Sequence, residues 1–267
     1  MLVRTDKKVK VLILKVAGIN CDYETKSAFE LCGAIVDCIS VNCIIKKKNK
    51  IFEYDILVFP GGFSYGDSIS SGKILSNELK NKLGDEIQKY ALSGRPIIGI
   101  CNGFQVLIKL GLLPDPHVFK QTSTISYNDS NKFECRWVYL KVEKNNGESN
   151  CIWTKGLPDI ITLPIAHREG KFIPCNDDFL SKLNKNNQIV FRYSSKNGSS
   201  APKYPLLPNG SIEHIASICN RDGNIFGLMP HPERYIFFLQ HPTRERIDGN
   251  KYGWGKIIFQ NAIDFVG

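Results

Sequence analysis

Along the first half of the chain, apolar residues cluster in short continuous runs and do not alternate with polar ones. Lys10 to Val16, Ala34 to Val41, Asp55 to Phe59 and Pro96 to Cys101 are dominated by Val, Ile and Leu, and the flanking residues include Gly, Asn or Pro. The first and last of these read as buried strands and the two between them as further strands, as in a parallel sheet. Between them lie helical stretches. Asp22 to Cys32 carries acidic residues near its start and closes at Gly33. Lys73 to Leu92 reads as a helix broken at Gly84. Asn102 to Leu110 closes at Gly111. Lys46 to Lys50 reads as a loop before a strand. The alternation predicts an α/β fold, a mostly parallel sheet with right-handed crossovers and helices on both faces. The second half changes character. Phe133 to Glu143, Ile160 to Ile165 and Gln188 to Tyr193 are strand-like, Ile215 to Cys219 and Asn224 to Met229 read as a hairpin turned at Asn220 to Gly223, and a last helix spans Lys256 to Val266.

Composition narrows the class. The 267 residues are 42% hydrophobic, enough for one large core, so residues 1–267 read as a single domain. No run approaches the roughly 20 apolar residues that span a bilayer, and Val9 to Ile19 is interrupted by Lys10 and Lys15, so neither a membrane anchor nor a signal peptide is expected. Nine cysteines, an odd number with no CxxC pair, point away from a disulfide framework or a zinc site and toward the reducing cytoplasm. The net charge of +9 comes with many Asn and Ile residues, the mark of compositional bias, and no nucleic-acid partner is expected.

The sharpest chemical signal is Gly99-Ile-Cys101-Asn-Gly103, where a buried strand runs directly into a helix. Glycines two residues to either side of a cysteine have the spacing of a nucleophile elbow, with Cys in place of Ser. The turn strains the nucleophile's backbone, flanking side chains would collide with neighbours, and the helix N-terminus favours a thiolate. The Asn102 amide can face a developing oxyanion. A thiolate needs a base and an orienting group. Met229-Pro-His231-Pro-Glu233 offers both, with the prolines expected to hold the backbone extended so that imidazole and carboxylate project to the same side. The third element, Phe59-Pro-Gly61-Gly62-Phe63-Ser64, ends a strand in a glycine pair, where backbone can approach a ligand and Gly62 can supply a second oxyanion amide. Taken singly, each segment can also be read as an ordinary turn.

The three elements in this order resemble the class I glutamine amidotransferase family, and within it the glutaminases that serve purine biosynthesis. Further matching segments are Asn20-Cys21-Asp22, Lys132 to Val138, Leu163 to Phe172 and Pro208 to Ser211, so the likeness covers nearly the whole chain. It implies a flavodoxin-like three-layer sandwich. It also implies hydrolysis of L-glutamine to glutamate and ammonia, with Cys101 as nucleophile, His231 as acid/base and Glu233 as its orienter. Gly62 and Asn102 would be the oxyanion donors, and Gln105, Phe63, Ser64 and His167 would lie around the substrate. The implied partners are a large synthetase subunit and a small accessory subunit, with no cofactor in this chain and ATP and Mg2+ on the synthetase. The chain departs from the family at Arg168 and at Ser130-Asn131, where glycine is usual at the first and at Asn131. Residues 235–255 are longer than in compact relatives and are expected to form a partner contact or a loop. Competing readings are a protease or deglycase built on a similar cysteine elbow, and a non-catalytic regulatory subunit.

Overall fold

The structure, a computed structural model, describes residues 8–199, 203–247, 249 and 251–267. It opens with β1 (Lys10–Lys15), α1 (Asp22–Leu31), β2 (Ile35–Ser40), β3 (Ile56–Phe59), α3 (Lys73–Leu92), β4 (Ile97–Ile100) and α4 (Asn102–Leu110), each close to where the hydrophobic runs predict it. Two corrections arise in this half. The lysine-rich segment is not a loop: α2 (Val41–Lys46) and a 3-10 turn over Lys48–Glu53 occupy it, anchored by buried Val41, Ile44 and Ile51. Nor does Gly84 break α3, because it faces inward and is itself buried, so the helix gains packing there that outweighs the glycine's entropy cost.

The second half holds β6 (Glu134–Val142), β7 (Ile160–His167), β9 (Ile189–Ser194), β10 (Ile215–Cys219), β11 (Ile225–Leu228) and α6 (Trp254–Val266). Three elements were absent from the sequence-based expectation: β5 (Ser123–Tyr127), β8 (Glu169–Pro174) and α5 (Asp177–Lys185). Helix α5 did carry a signal, because Asn176 caps it by accepting from the Phe179 N–H at 2.9 Å, with Asp177 and Asp178 in the first turn.

Among the described residues, nine strands form one mixed sheet in the order β2-β1-β3-β4-β11-β10-β9-β6-β7. The first five run parallel, and from β10 onward every pairing is antiparallel. A separate two-stranded antiparallel sheet joins β5 to β8. All residues of β3, β4 and β11 are buried, and a fully buried Ile, Val, Leu or Phe contributes roughly 1.5–3 kcal/mol. The parallel centre is therefore deeply buried, and the chemistry-bearing loops leave from its carboxyl edge. All nine cysteines are free thiols. Among the described residues, no helix is long and apolar enough to cross a membrane.

Candidate active site

Cys101 is the single residue between β4 and α4, with φ 50° and ψ −103°, a conformation that side-chain-bearing residues rarely adopt. The strain is held from both sides. The Cys101 N–H donates to the Leu228 carbonyl of β11 at 2.7 Å, and its carbonyl accepts from the Gln105 N–H at 3.1 Å. The flanking glycines are obligatory for the steric reason the spacing suggests. A Cβ on Gly99 would lie 2.7 Å from the Gly103 carbonyl oxygen, and one on Gly103 would lie 1.8 Å from the Phe59 carbonyl oxygen of β3. Cys101 is 5% exposed and lines a cavity. It sits at the N-terminus of α4, whose first N–H groups, Asn102 included, have no intrahelical acceptor and favour negative charge.

β11 delivers the histidine. The His231 N–H donates to the Pro164 carbonyl of β7 at 2.8 Å, tying this segment across to the antiparallel half of the sheet. His231 itself is extended, but the following residues are not: Pro232–Arg234 form a 3-10 turn. The expected two-residue extended spacing is thus corrected. Proline is well suited to open a helical turn, and this turn, not a strand pleat, brings the carboxylate back to the ring. Nδ1 of His231 meets Oε1 of Glu233 at 2.6 Å, with both side chains buried. Burial opposes a charged imidazole, but the Glu233 carboxylate, helped by Cys101 and Cys21, outweighs it and holds the His231 pKa well above its ordinary value. Cys101 is close enough to contribute, yet Nε2 has no hydrogen-bond partner among the described residues. Such loose contacts are common in unliganded sites. The ring passes directly over Gly61, where a Cβ would stand 2.9 Å from Cε1.

In front of Cys101 lies a cavity of about 230 Å³ lined by Gly62, Phe63, Gln105, His167, Arg168 and Glu169, among others. That is below the usual range for drug-sized ligands and suits a small polar molecule. Gln105 forms part of its wall, donating through Nε2 to the Glu169 carbonyl at 2.6 Å and accepting through Oε1 from Asn102 at 3.0 Å. His167 is buried, accepts or donates at Nδ1 against Asn128 at 3.1 Å, and has its pKa lowered to about 3, first by burial and then by the charge on His231. Ser64 is buried behind the wall and does not line the cavity; its N–H donates to Asn102 Oδ1 at 3.2 Å. Gly62 takes φ 142°, and a Cβ there would lie 2.7 Å from the Asn20 nitrogen. Arg168 reaches outward over the Tyr127 ring at 5.4 Å. Asn131, where relatives favour glycine, has φ 54°, a left-handed conformation that asparagine tolerates.

Several residues of the site carried no sequence signal of their role. The Asn102 side chain ties the elbow to the glycine loop, donating to Asp67 Oδ1 at 3.1 Å as well as to Gln105. Cys21, which precedes α1, is fully buried with its sulfur 3.9 Å from His231 Nδ1, and it does not line the cavity. The Arg234 guanidinium donates to that sulfur at 3.1 Å. Donor atoms of Cys21, His231 and Glu233 lie within 4.8 Å of one another. The guanidinium on the sulfur and the short Nδ1–Oε1 hydrogen bond fit proton chemistry better than a cation there. Asn20-Cys21-Asp22 stands out in the chain, but nothing local says that it folds against residue 231.

A parallel-centred α/β sheet that presents a cysteine on a strained elbow, a histidine–carboxylate pair and a small polar cavity defines a protein of the amide-transferring type. The sequence matches the CobB/CobQ-like glutamine amidotransferase domain over residues 8–266, and the chain belongs to that family. It is 44% identical over 259 residues to the phosphoribosylformylglycinamidine synthase subunit PurQ of Dehalococcoides mccartyi, covering 97% of this chain and 98% of that one. It is 46% identical over 269 residues to the PurQ subunit of Methanococcus maripaludis strain C7, covering 96% and 97%. Among solved structures, a chain of PurLQS from Thermotoga maritima superposes with a TM-score of 0.73 at 32% identity, covering 98% of this chain and all of that one.

Proposed function

We propose that this chain is the glutaminase subunit of a phosphoribosylformylglycinamidine synthase, hydrolysing L-glutamine and passing the ammonia to a synthetase in purine biosynthesis. The observation that carries the chemistry is the strained Cys101 elbow opening on the cavity beside the His231–Glu233 pair. Two cysteines flank His231, and the geometry favours Cys101 as nucleophile. Cys21 is fully buried, does not line the cavity and faces the Nδ1 flank that Glu233 already occupies.

The Cys101 thiolate attacks the side-chain amide carbon of glutamine. The carbonyl oxygen becomes an oxyanion facing the backbone N–H groups of Gly62 and Asn102. Protonated His231 gives its proton to the leaving nitrogen, ammonia departs and a thioester remains. Neutral His231 then takes a proton from water, hydroxide attacks the thioester, the Cys101 thiolate is expelled beside protonated His231, and glutamate leaves as its acid proton passes to solvent. Glu233 holds the imidazole and stabilises its charged form. Phe63, Gln105 and His167 shape the substrate wall, while Ser64 acts from behind through Asn102.

The same reading assigns a large synthetase and a small accessory subunit as partners, with ATP and Mg2+ on the synthetase, and a cytoplasmic setting that suits nine free thiols. It takes residues 1–267 as one domain, since a single sheet runs through both halves. Its parallel part reads as a flavodoxin-like three-layer sandwich in strand order 2-1-3-4 followed by a fifth, with α1 packed on α6 and α3 packed on α4. Residues 235–255 read as a partner contact, supported by exposed Phe237 and Leu239. The test is chemical. Cys101→Ala abolishes glutamate release with the fold intact, and diazo-oxonorleucine labels Cys101 in wild type. Labelling at Cys21, or activity in the alanine variant, would overturn the assignment.

A further inference from the structure

Arg234 and Glu233 are adjacent in sequence, yet they do not form the bidentate pair that a guanidinium and a buried carboxylate ordinarily seek. Arg234 Nε stays 4.0 Å from Glu233 Oε1, while Nη2 donates to the Cys21 sulfur at 3.1 Å. Glu233 keeps one oxygen on His231 at 2.6 Å, and its other oxygen, Oε2, is buried with no partner among the described residues. A vacant carboxylate oxygen beside a guanidinium engaged elsewhere calls for a cause, because sulfur is a weak acceptor.

Cys21 is held in place to act as that acceptor. Its N–H donates to the Gly61 carbonyl at 3.3 Å, and its carbonyl accepts from the Thr25 hydroxyl at 2.6 Å. Its thiol donates to Asn20 Oδ1 at 3.3 Å, which leaves the sulfur lone pairs turned to Arg234. It stands at the N-cap of α1 but its side chain makes no capping bond. A Cβ on Gly61 would meet both the Cys21 sulfur and the His231 ring, so thiol and imidazole share one packed layer.

We infer that Cys21 is a positioning residue for the triad: its sulfur holds the Arg234 guanidinium out of hydrogen-bond reach of Glu233, so that the carboxylate hydrogen-bonds His231 alone. The inference rests on the glutaminase reading above. If the guanidinium closed onto Glu233, its positive charge would screen the carboxylate from the imidazole and the charged form of His231 would be less stable. The groups facing His231 are Glu233 and Arg234 from its own turn, Cys101 from the elbow, Cys21 from before α1 and His167 from the end of β7. Arg234 lies close to two acceptors, the Cys21 sulfur and the Glu233 carboxylate.

The test is the pH profile of glutamine hydrolysis by the full chain assembled with its synthetase. In Cys21→Ala, the alkaline limb of kcat, where His231 must stay protonated to release ammonia, moves down by about one pH unit, the lower end of a neighbouring-charge effect. Turnover at a pH above both limbs falls roughly tenfold for the same reason, with KM for glutamine little changed. Cys21→Val, which fills the volume without an acceptor, behaves the same way and covers the case in which the alanine variant does not fold. Cys21→Ser, which keeps an acceptor, retains the wild-type limb. Adding Arg234→Gln to either acceptor-less variant returns the limb toward wild type, which simple packing damage would not do. An unmoved limb in active Cys21→Val, or no recovery in the double variant, overturns the inference while leaving the nucleophile assignment intact. Absence of glutamine hydrolysis by the wild-type complex overturns both.

Discussion

The steric argument for the elbow can be tested without touching a reacting group, through Gly103→Ala. The added Cβ would sit 1.8 Å from the Phe59 carbonyl oxygen, 2.6 Å from its carbon and 2.9 Å from its Cβ. Real Cβ atoms essentially never come closer than 3.0 Å to another heavy atom, so the first turn of α4 must retreat from β3 by at least ~1.2 Å. Neither side yields easily: Phe59 is 1% exposed in the middle of the sheet, and α4 is buried along almost its whole length. Forced overpacking of this kind costs about 1–3 kcal/mol, which for a chain of this size lowers Tm by about 2–4 °C per kcal/mol. The catalytic effect is larger than the stability effect. The displaced turn carries the Asn102 amide and the Cys101 backbone, and a misplacement of about 1 Å costs on the order of 10²-fold in rate. The assay is steady-state glutamate release by the assembled complex, alongside a thermal melt and far-UV circular dichroism. A folded Gly103→Ala protein within about threefold of wild-type kcat/KM would refute the reasoning that the glycine spacing exists to place the nucleophile.

Three further outcomes are expected. Glu233→Gln lowers turnover but less than His231→Ala does, because it removes the charge that sustains the imidazolium and leaves the base in place; equal turnover in Glu233→Gln and wild type would remove the carboxylate from the triad. His167 has its folded pKa lowered from 6.5 to about 3, so its contribution to stability is present above pH 6.5 and is lost as pH falls toward 3. Each pH unit in that window costs up to about 1.4 kcal/mol. Urea titrations from pH 7 to pH 4 should therefore show a shallower loss in His167→Asn than in wild type, and parallel slopes would count against it. Finally, glutamine hydrolysis by the isolated chain is expected to be slow and to rise on adding the synthetase with its nucleotide and accessory subunit. A hundredfold rise corresponds to about 2.7 kcal/mol, the worth of one oxyanion donor, which reorientation of a peptide in the Gly61-Gly62 loop can supply. Identical rates with and without the partner would exclude gating.

What could be read from the chain alone was whatever close neighbours in sequence enforce. The aliphatic runs of β1, β3 and β4 declare burial on both faces, and the Asn220–Gly223 turn declares the β10–β11 hairpin. Gly99, Cys101 and Gly103 declare an elbow because strand, turn and helix follow without interruption, and the clash that demands the glycines arises wherever such a helix packs on its sheet. His231 and Glu233 lie two residues apart, so their pairing was also legible, although the 3-10 turn that achieves it was not. The tertiary structure alone decided the rest. β5 and β8 pair across 42 to 51 residues through short, half-polar segments that carry little periodicity of their own. The Asn102 side chain reads as an ordinary helix-opening residue until the fold brings Ser64 and Asp67 to it. Cys21 lies 210 residues from His231, and only the parallel pairing of β1 beside β3, together with the turn after β11, sets its sulfur against the imidazole and Arg234. The division follows from the range of the forces: backbone sterics and burial act on neighbours and leave a periodic trace, whereas a hydrogen bond between distant side chains leaves none until the chain has closed around it.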